Sequence, residues 1–126
     1  MHYLLMIYDD EKTFAGMPEA KKTALMQEYR AFTRDIVKSG HFRAGAQLQP
    51  TSKGTTVRKR NGRHVITDGP FAETKEHLSG YYPVECKDLD EAIAIAGRIP
   101  SIRVGGSIEA RPLVPTFEAA RTPPAR

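Results

Sequence analysis

The first apolar run of the chain is short and apolar on both sides. Over residues 2–8, Tyr3, Leu5 and Ile7 fall on one face of an extended strand, and His2, Leu4, Met6 and Tyr8 on the other. A strand that is largely apolar on both faces belongs in the middle of a sheet, covered on both sides. The period then changes. Leu25, Tyr29, Phe32 and Ile36 recur at i, i+4, i+7 and i+11, the single stripe of an amphipathic helix. Pro18 suits its first position and Gly40 the residue past its end, although Met17 is a poor N-cap. A short strand is expected at 44–49, ahead of Pro50. Two β-like runs around Asn61-Gly62 predict a two-residue type I′ hairpin. Counted outward from that turn, Arg60 faces Arg63, Lys59 faces His64, Arg58 faces Val65 and Val57 faces Ile66.

A further strand is expected at 80–86, with Pro83 at a position that needs no N–H. Asp88 and Glu91 have the spacing of a capping box. They open a short helix whose stripe would be Leu89, Ala92, Ile93 and Ala96, and Pro100 stops it. The last strand is expected at 107–114, with Ile108, Ala110 and Pro112 on one face and Glu109, Arg111 and Leu113 on the other. The order β-α-β-(hairpin)-β-α-β is a ferredoxin-like split βαβ unit, βαββαβ with an inserted β-hairpin, in the α+β class. Both helices of such a unit cover one sheet face. The other face is left apolar along the first strand, and a second copy of the chain is the expected cover. The alternative cover is the tail after Leu113, with Val114 and Phe117. Residues 1–114 read as one domain and 115–126 as a Pro-containing C-terminal tail.

Composition adds constraints. The 126 residues carry a net charge of +4, and the excess is local. Residues 38–63 hold seven basic side chains and no acid, while the rest has twelve basic against fifteen acidic. One hairpin is therefore basic. It lacks interleaved aromatics, and there is no recognition helix, which argues against nucleic acid and for a solvated tip or an acidic protein partner. The single cysteine, Cys86, leaves no internal disulfide and no cysteine-based metal site. His2, His41, His64 and His77 have no ligand spacing, so neither metal nor cofactor is expected. No apolar run is long enough to span a membrane, and a cytoplasmic location is expected.

Residues 68–76, Asp-Gly-Pro-Phe-Ala-Glu-Thr-Lys-Glu, combine turn chemistry with a charged string. One reading is a rigid connector held by burial of Phe71. The other is a loop that places Asp68 at a pocket, with His77 as a second acid–base group. Tyr8, Tyr81, Glu109 and Arg111 can share the open sheet face, and with Tyr29, Phe71 and Glu73 they are the candidate ligand contacts.

That nine-residue string, the start at residues 2–11 and the ending at 88–113 together resemble the YCII-related family, in the branch with the Asp-Gly-Pro-Phe motif. The resemblance spans about residues 2–114. It implies a ferredoxin-like fold paired into a dimeric α+β barrel, and an association with extracytoplasmic-function sigma factors. One relative is similar to a dehydrochlorinase that uses a His-Asp pair. With that pattern laid on Gly40, its histidine falls near Tyr29 and its aspartate near Lys38. Neither matches, so that chemistry is not carried over. Two functions follow as expectations. One is a homodimeric, cofactor-free lyase or isomerase with a small-molecule pocket. The other is a ligand-sensing or protein-binding module in sigma-factor-linked regulation.

Overall fold

The structure, a computed structural model, describes residues 1–115. Strand β1 (His2–Asp9) runs straight into a short helix, α1 (Glu11–Ala15), and then a long one, α2 (Glu19–Lys38). Strand β2 (Ala46–Gln47) precedes the hairpin of β3 (Thr55–Arg60) and β4 (Arg63–Asp68). Strand β5 (His77–Glu85), helix α3 (Leu89–Ala96) and strand β6 (Ser107–Pro112) complete the domain. The main sheet is antiparallel in the order β2-β5-β1-β6, the ferredoxin-like arrangement. β1 is central, as its two apolar faces predict. The hairpin stands as a separate two-stranded sheet in the expected register. Asn61 and Gly62 both take positive φ, as a type I′ turn requires.

The core lies between the helices and one face of the sheet. Tyr3, Leu5 and Ile7 of β1 meet Tyr82 and Val84 of β5, Phe32 and Ile36 of α2, and Ala92, Ile95 and Ile99. Leu5 and Ile36 have no exposed surface at all. The rings of Phe32 and Tyr82 meet edge-on, 5.3 Å between centroids, a geometry that adds to simple burial. Tyr82 also exchanges a 2.8 Å hydrogen bond with Thr33, so its hydroxyl is satisfied where it is buried. Burial raises the pKa of the Tyr82 phenol and of the Cys86 thiol, the latter to about 11. Cys86 is thus an inert core thiol.

Three local expectations need correction. The strand before the hairpin is two residues long, because the chain from His41 to Gln47 touches β5 only intermittently. The stripe of α3 is Ala92, Ile95 and Ala96, while Leu89 and Ile93 are exposed. Leu89 and Ile93, the first and third of the predicted four, thus sit off the buried face. Phe71 is 77 % exposed and is not a buried anchor; the Arg58 guanidinium lies 5.1 Å from its ring centre. The missing donor of Pro83 points to the short edge segment. Its carbonyl accepts from Arg43 N–H there, and both main-chain groups of a strand residue lie on one side. β1 loses nothing by it. The expected capping box is met in its first half: Asp88 accepts from Glu91 N–H, while Glu91 turns back one residue beyond the cap, to Lys87 N–H. The latter bond holds the Glu91 carboxyl below its ordinary range. Of the expected tail, only Pro115 is among the described residues; Phe117 lies outside them.

Candidate functional site

Alternation along β1 sends Tyr3, Leu5 and Ile7 to the helix side of the sheet. The next residue in that row is Asp9, a carboxylate at the end of an apolar face. Opposite it the pairing slips: Ile7 faces Gly80 but Tyr8 faces Leu78, which leaves Ser79 as one extra residue in β5. A β-bulge re-aims the residue it inserts. Here it brings the Ser79 hydroxyl to Asp9 Oδ2 at 2.7 Å. A second hydroxyl arrives from the turn after α3. Ser101, only 2 % exposed, lies 3.2 Å from the same oxygen. Tyr29 of α2 hydrogen-bonds in turn to Ser101 Oγ. The turn itself is shaped by Gly105, which closes it at φ +93°, and by Gly106, whose amide donates to the Ser101 carbonyl. A Cβ on Gly106 would run into Asp9 Oδ1, so only glycine lets the backbone pass that close.

Proton counting gives this network a direction. A carboxylate at neutral pH only accepts, and a serine hydroxyl has one proton. Ser101 donates to Asp9, so Tyr29 must be the donor to Ser101. Burial pushes the Tyr29 phenol up to about 12, the Ser101 contact opposing this only in part, so it keeps the proton that the chain needs.

Asp9 forms part of the wall of a cavity of about 410 Å³. Phe14, Met17, Leu25 and Val104 supply its apolar wall. Asp10, Thr13, Lys75, Glu76 and Ser101 supply polar groups. Helix α1 forms one side of the cavity although none of its residues is buried. Two bonds hold it. Asp10 caps its first turn by accepting from Lys12 N–H. Glu11 reaches forty positions along the chain, accepting from Thr51 N–H at 2.8 Å and Thr51 Oγ1 at 2.6 Å. These bonds hold the Glu11 carboxyl below its usual pKa, the hydroxyl bond being the larger cause and the amide bond the next.

The expected site residues separate into four places. Tyr29 joins the Asp9 network. Tyr8, Tyr81, Glu109 and Arg111 share the open sheet face, where Met6 lies opposite Tyr81 and Glu109, and Leu4 opposite Arg111. There Arg111 Nε pairs with Glu109 at 2.8 Å, and Tyr8 OH reaches Met6 Sδ. Asp68 ends β4 opposite Thr55, exposed, with Phe71 and Glu73 also exposed beyond it. His77 faces Glu11, Nε2 to Oε1 3.9 Å, and is not among the residues that line the cavity. The charged string does reach the cavity, but through Lys75 and Glu76. Sequence reasoning missed Asp9, Ser79 and Ser101. Among the described residues no three His, Cys, Asp or Glu side chains group as a metal site.

A profile of the YCII-related domain matches residues 1–116. A protein of Rhizobium meliloti (strain 1021), itself described only as uncharacterised, is 36 % identical over 114 residues. That match covers 90 % of this chain and 92 % of the relative. With a ferredoxin-like sheet already in view, these two matches suffice to say that the chain belongs to the YCII-related family.

Proposed function

We propose that the chain acts as a homodimer that binds a small organic molecule in the Asp9 cavity and moves a proton on it, a cofactor-free lyase or isomerase step. The observation that carries this reading is the hydroxyl chain on Asp9. Ser79 and Ser101 fix Oδ2, and Tyr29 completes the line, all at the wall of a cavity of ligand size. An apolar ligand body fits against Phe14, Met17, Leu25 and Val104, and Lys75 and Glu76 offer polar contacts. Asp9 is the proton acceptor in this reading. The two serines and Tyr29 orient it as positioning residues. Asp68 and His77, the sequence candidates for that role, do not line the cavity. The homodimer is supported by the open face, where Leu4, Tyr8 and Tyr81 stay half-exposed on a central part of the sheet.

A second reading keeps the ligand and drops the turnover: a sensing module linked to sigma-factor regulation, with the exposed basic hairpin as its contact surface. Both readings place the protein in the cytoplasm, in keeping with its lone reduced cysteine. No helix among the described residues is long and apolar enough to cross a membrane.

The experiment is ligand-observed NMR of wild type and Asp9→Asn against a panel of small aromatic and hydroxy-acid metabolites, followed by product analysis of each binder. The expected result is a binder that wild type converts and Asp9→Asn converts at least about 100-fold more slowly. A binder converted equally by both proteins would remove Asp9 from the chemistry. A binder that neither converts selects the sensing module.

A further inference from the structure

Helix α1 is a slight element to serve as a cavity wall. It has five residues, none of them buried, whereas an isolated helix needs about 12–15 to persist in water. Yet Thr13 and Phe14 of α1, with Asp10 before it and Met17 after it, make up one side of the Asp9 cavity. Contacts from outside the helix must hold it there. Among the described residues, its hydrogen bonds and charge contacts to other elements come from two side chains. The Lys22 ammonium, on the neighbouring helix α2, lies 5.4 Å from the centre of the Phe14 ring. Glu11 makes the stronger attachment, accepting from the amide and the hydroxyl of Thr51, with His77 Nε2 3.9 Å away. Thr51 is itself a fixed point. It opens a 3-10 turn (Thr51–Lys53) that ends at Gly54, whose N–H donates to the Thr51 carbonyl at 3.0 Å. The Gly54 carbonyl then accepts from Gly69 N–H at 2.8 Å, across the base of the hairpin.

We propose that α1 is a lid on the Asp9 cavity, latched shut by Glu11 on Thr51. Lids are drawn from the least stable parts of a fold, those with few buried apolar contacts, and α1 is such a part. Released from Thr51, the segment 10–17 lifts the wall that carries Thr13 and Phe14 and opens the cavity to solvent. Asp9 does not move with it, because Ser79 and Ser101 hold its carboxylate from β5 and from the turn after α3. The floor stays too, since Leu25 belongs to the long helix α2 and is buried. The lid therefore gates entry without disturbing the acceptor. The inference rests on the cavity reading proposed above and adds how a ligand gains access to it.

Two readouts on the full chain test it, and neither needs a ligand. Hydrogen exchange followed by mass spectrometry at neutral pH compares wild type with Thr51→Val and with Glu11→Gln. Exchange over residues 11–17 is expected to quicken by about 10-fold or more in both variants, while β1 and α2 keep their wild-type rates. Separately, Leu25→Cys places a thiol at a cavity position that is 7 % exposed, and its maleimide labelling is timed with and without Thr51→Val. Labelling is expected to be about 10-fold faster when Thr51 is valine, with buried Cys86 unlabelled in both proteins. Wild-type exchange over residues 11–17 as fast as in an unfolded chain, or no acceleration at either readout, overturns the latch. Acceleration shared by β1 and by Cys86 is global unfolding and overturns it as well. Each of these failures leaves the Asp9 reading intact, because that reading is decided by the Asp9→Asn conversion rates alone.

Discussion

Ser101→Ala should be more damaging than its single oxygen suggests, and Tyr29→Phe less. Ser101 Oγ stands between Tyr29 and Asp9, and the proton count makes Tyr29 the donor. Alanine leaves the buried phenol with no acceptor, which costs about 1–3 kcal/mol. Asp9 loses one donor too, but its half-exposed carboxylate takes water instead, so that part is at most about 1 kcal/mol. The sum is about 1–4 kcal/mol, a fall of roughly 3–15 °C for a domain of this size. Tyr29→Phe removes the donor along with its need, and Ser101 keeps Asp9. Its cost is about 0.5–1.5 kcal/mol. In the double variant Ser101→Ala costs only its Asp9 share, so the pair should be coupled by about 1 kcal/mol or more. Urea unfolding followed by circular dichroism at neutral pH measures all three variants. Additivity within about 0.5 kcal/mol, or a Tyr29→Phe cost above that of Ser101→Ala, refutes the directed chain.

Other consequences are simpler. Glu11→Gln should lower the melting temperature at neutral pH by weakening the clamp on Thr51, and the gap should close in acid. The Glu11 carboxyl is held below its usual value by the Thr51 hydroxyl. Its stabilisation is therefore full above the unfolded carboxyl range and lost as pH falls through the lower folded value; a gap that does not narrow as the solution is acidified contradicts this. Gly106→Ala puts a methyl against Asp9 Oδ1 and the Ser101 carbonyl, for a cost of about 1–3 kcal/mol in thermal unfolding, with weaker ligand binding. A variant as stable as wild type would show that the turn can yield.

Much of the fold was legible because it follows from periodicity. The two-sided apolar run of residues 2–8 identified the central strand, and Leu25, Phe32 and Ile36 turned out buried as their spacing required. The Asn-Gly turn fixed the hairpin register residue by residue. Prediction failed where burial and local pattern part company. Leu89 and Ile93 look like core residues, yet three of the buried positions over residues 89–96 are taken by smaller or later side chains, Ala92, Ile95 and Ala96. Phe71 looked like an anchor because a phenylalanine in a polar loop usually packs. Here its ring is occupied by Arg58 at the surface.

The site was hidden for a different reason. Asp9 reads as the polar end of a strand, Ser79 as a strand residue ahead of a glycine, and Ser101 as the residue after a helix-stopping proline. Each is ordinary alone. In a regular β1–β5 ladder Gly80, Tyr82 and Val84 would face the helices, and Ser79 would face the open side with Tyr81 and Pro83. The extra residue at Ser79 shifts the alternation at the start of β5, so that Ser79 turns to the helix side and Leu78 and His77 exchange faces, where the apolar row of β1 ends in Asp9. With only Leu78 and His77 in β5 before the bulge, that change of phase is too short to read from hydrophobic spacing. The Asp-Gly-Pro-Phe string that identifies the family therefore lies beside the site without forming its centre. Its last residues, Lys75 and Glu76, line the cavity, and the strand they lead into carries the bulge that gives Asp9 its first hydroxyl.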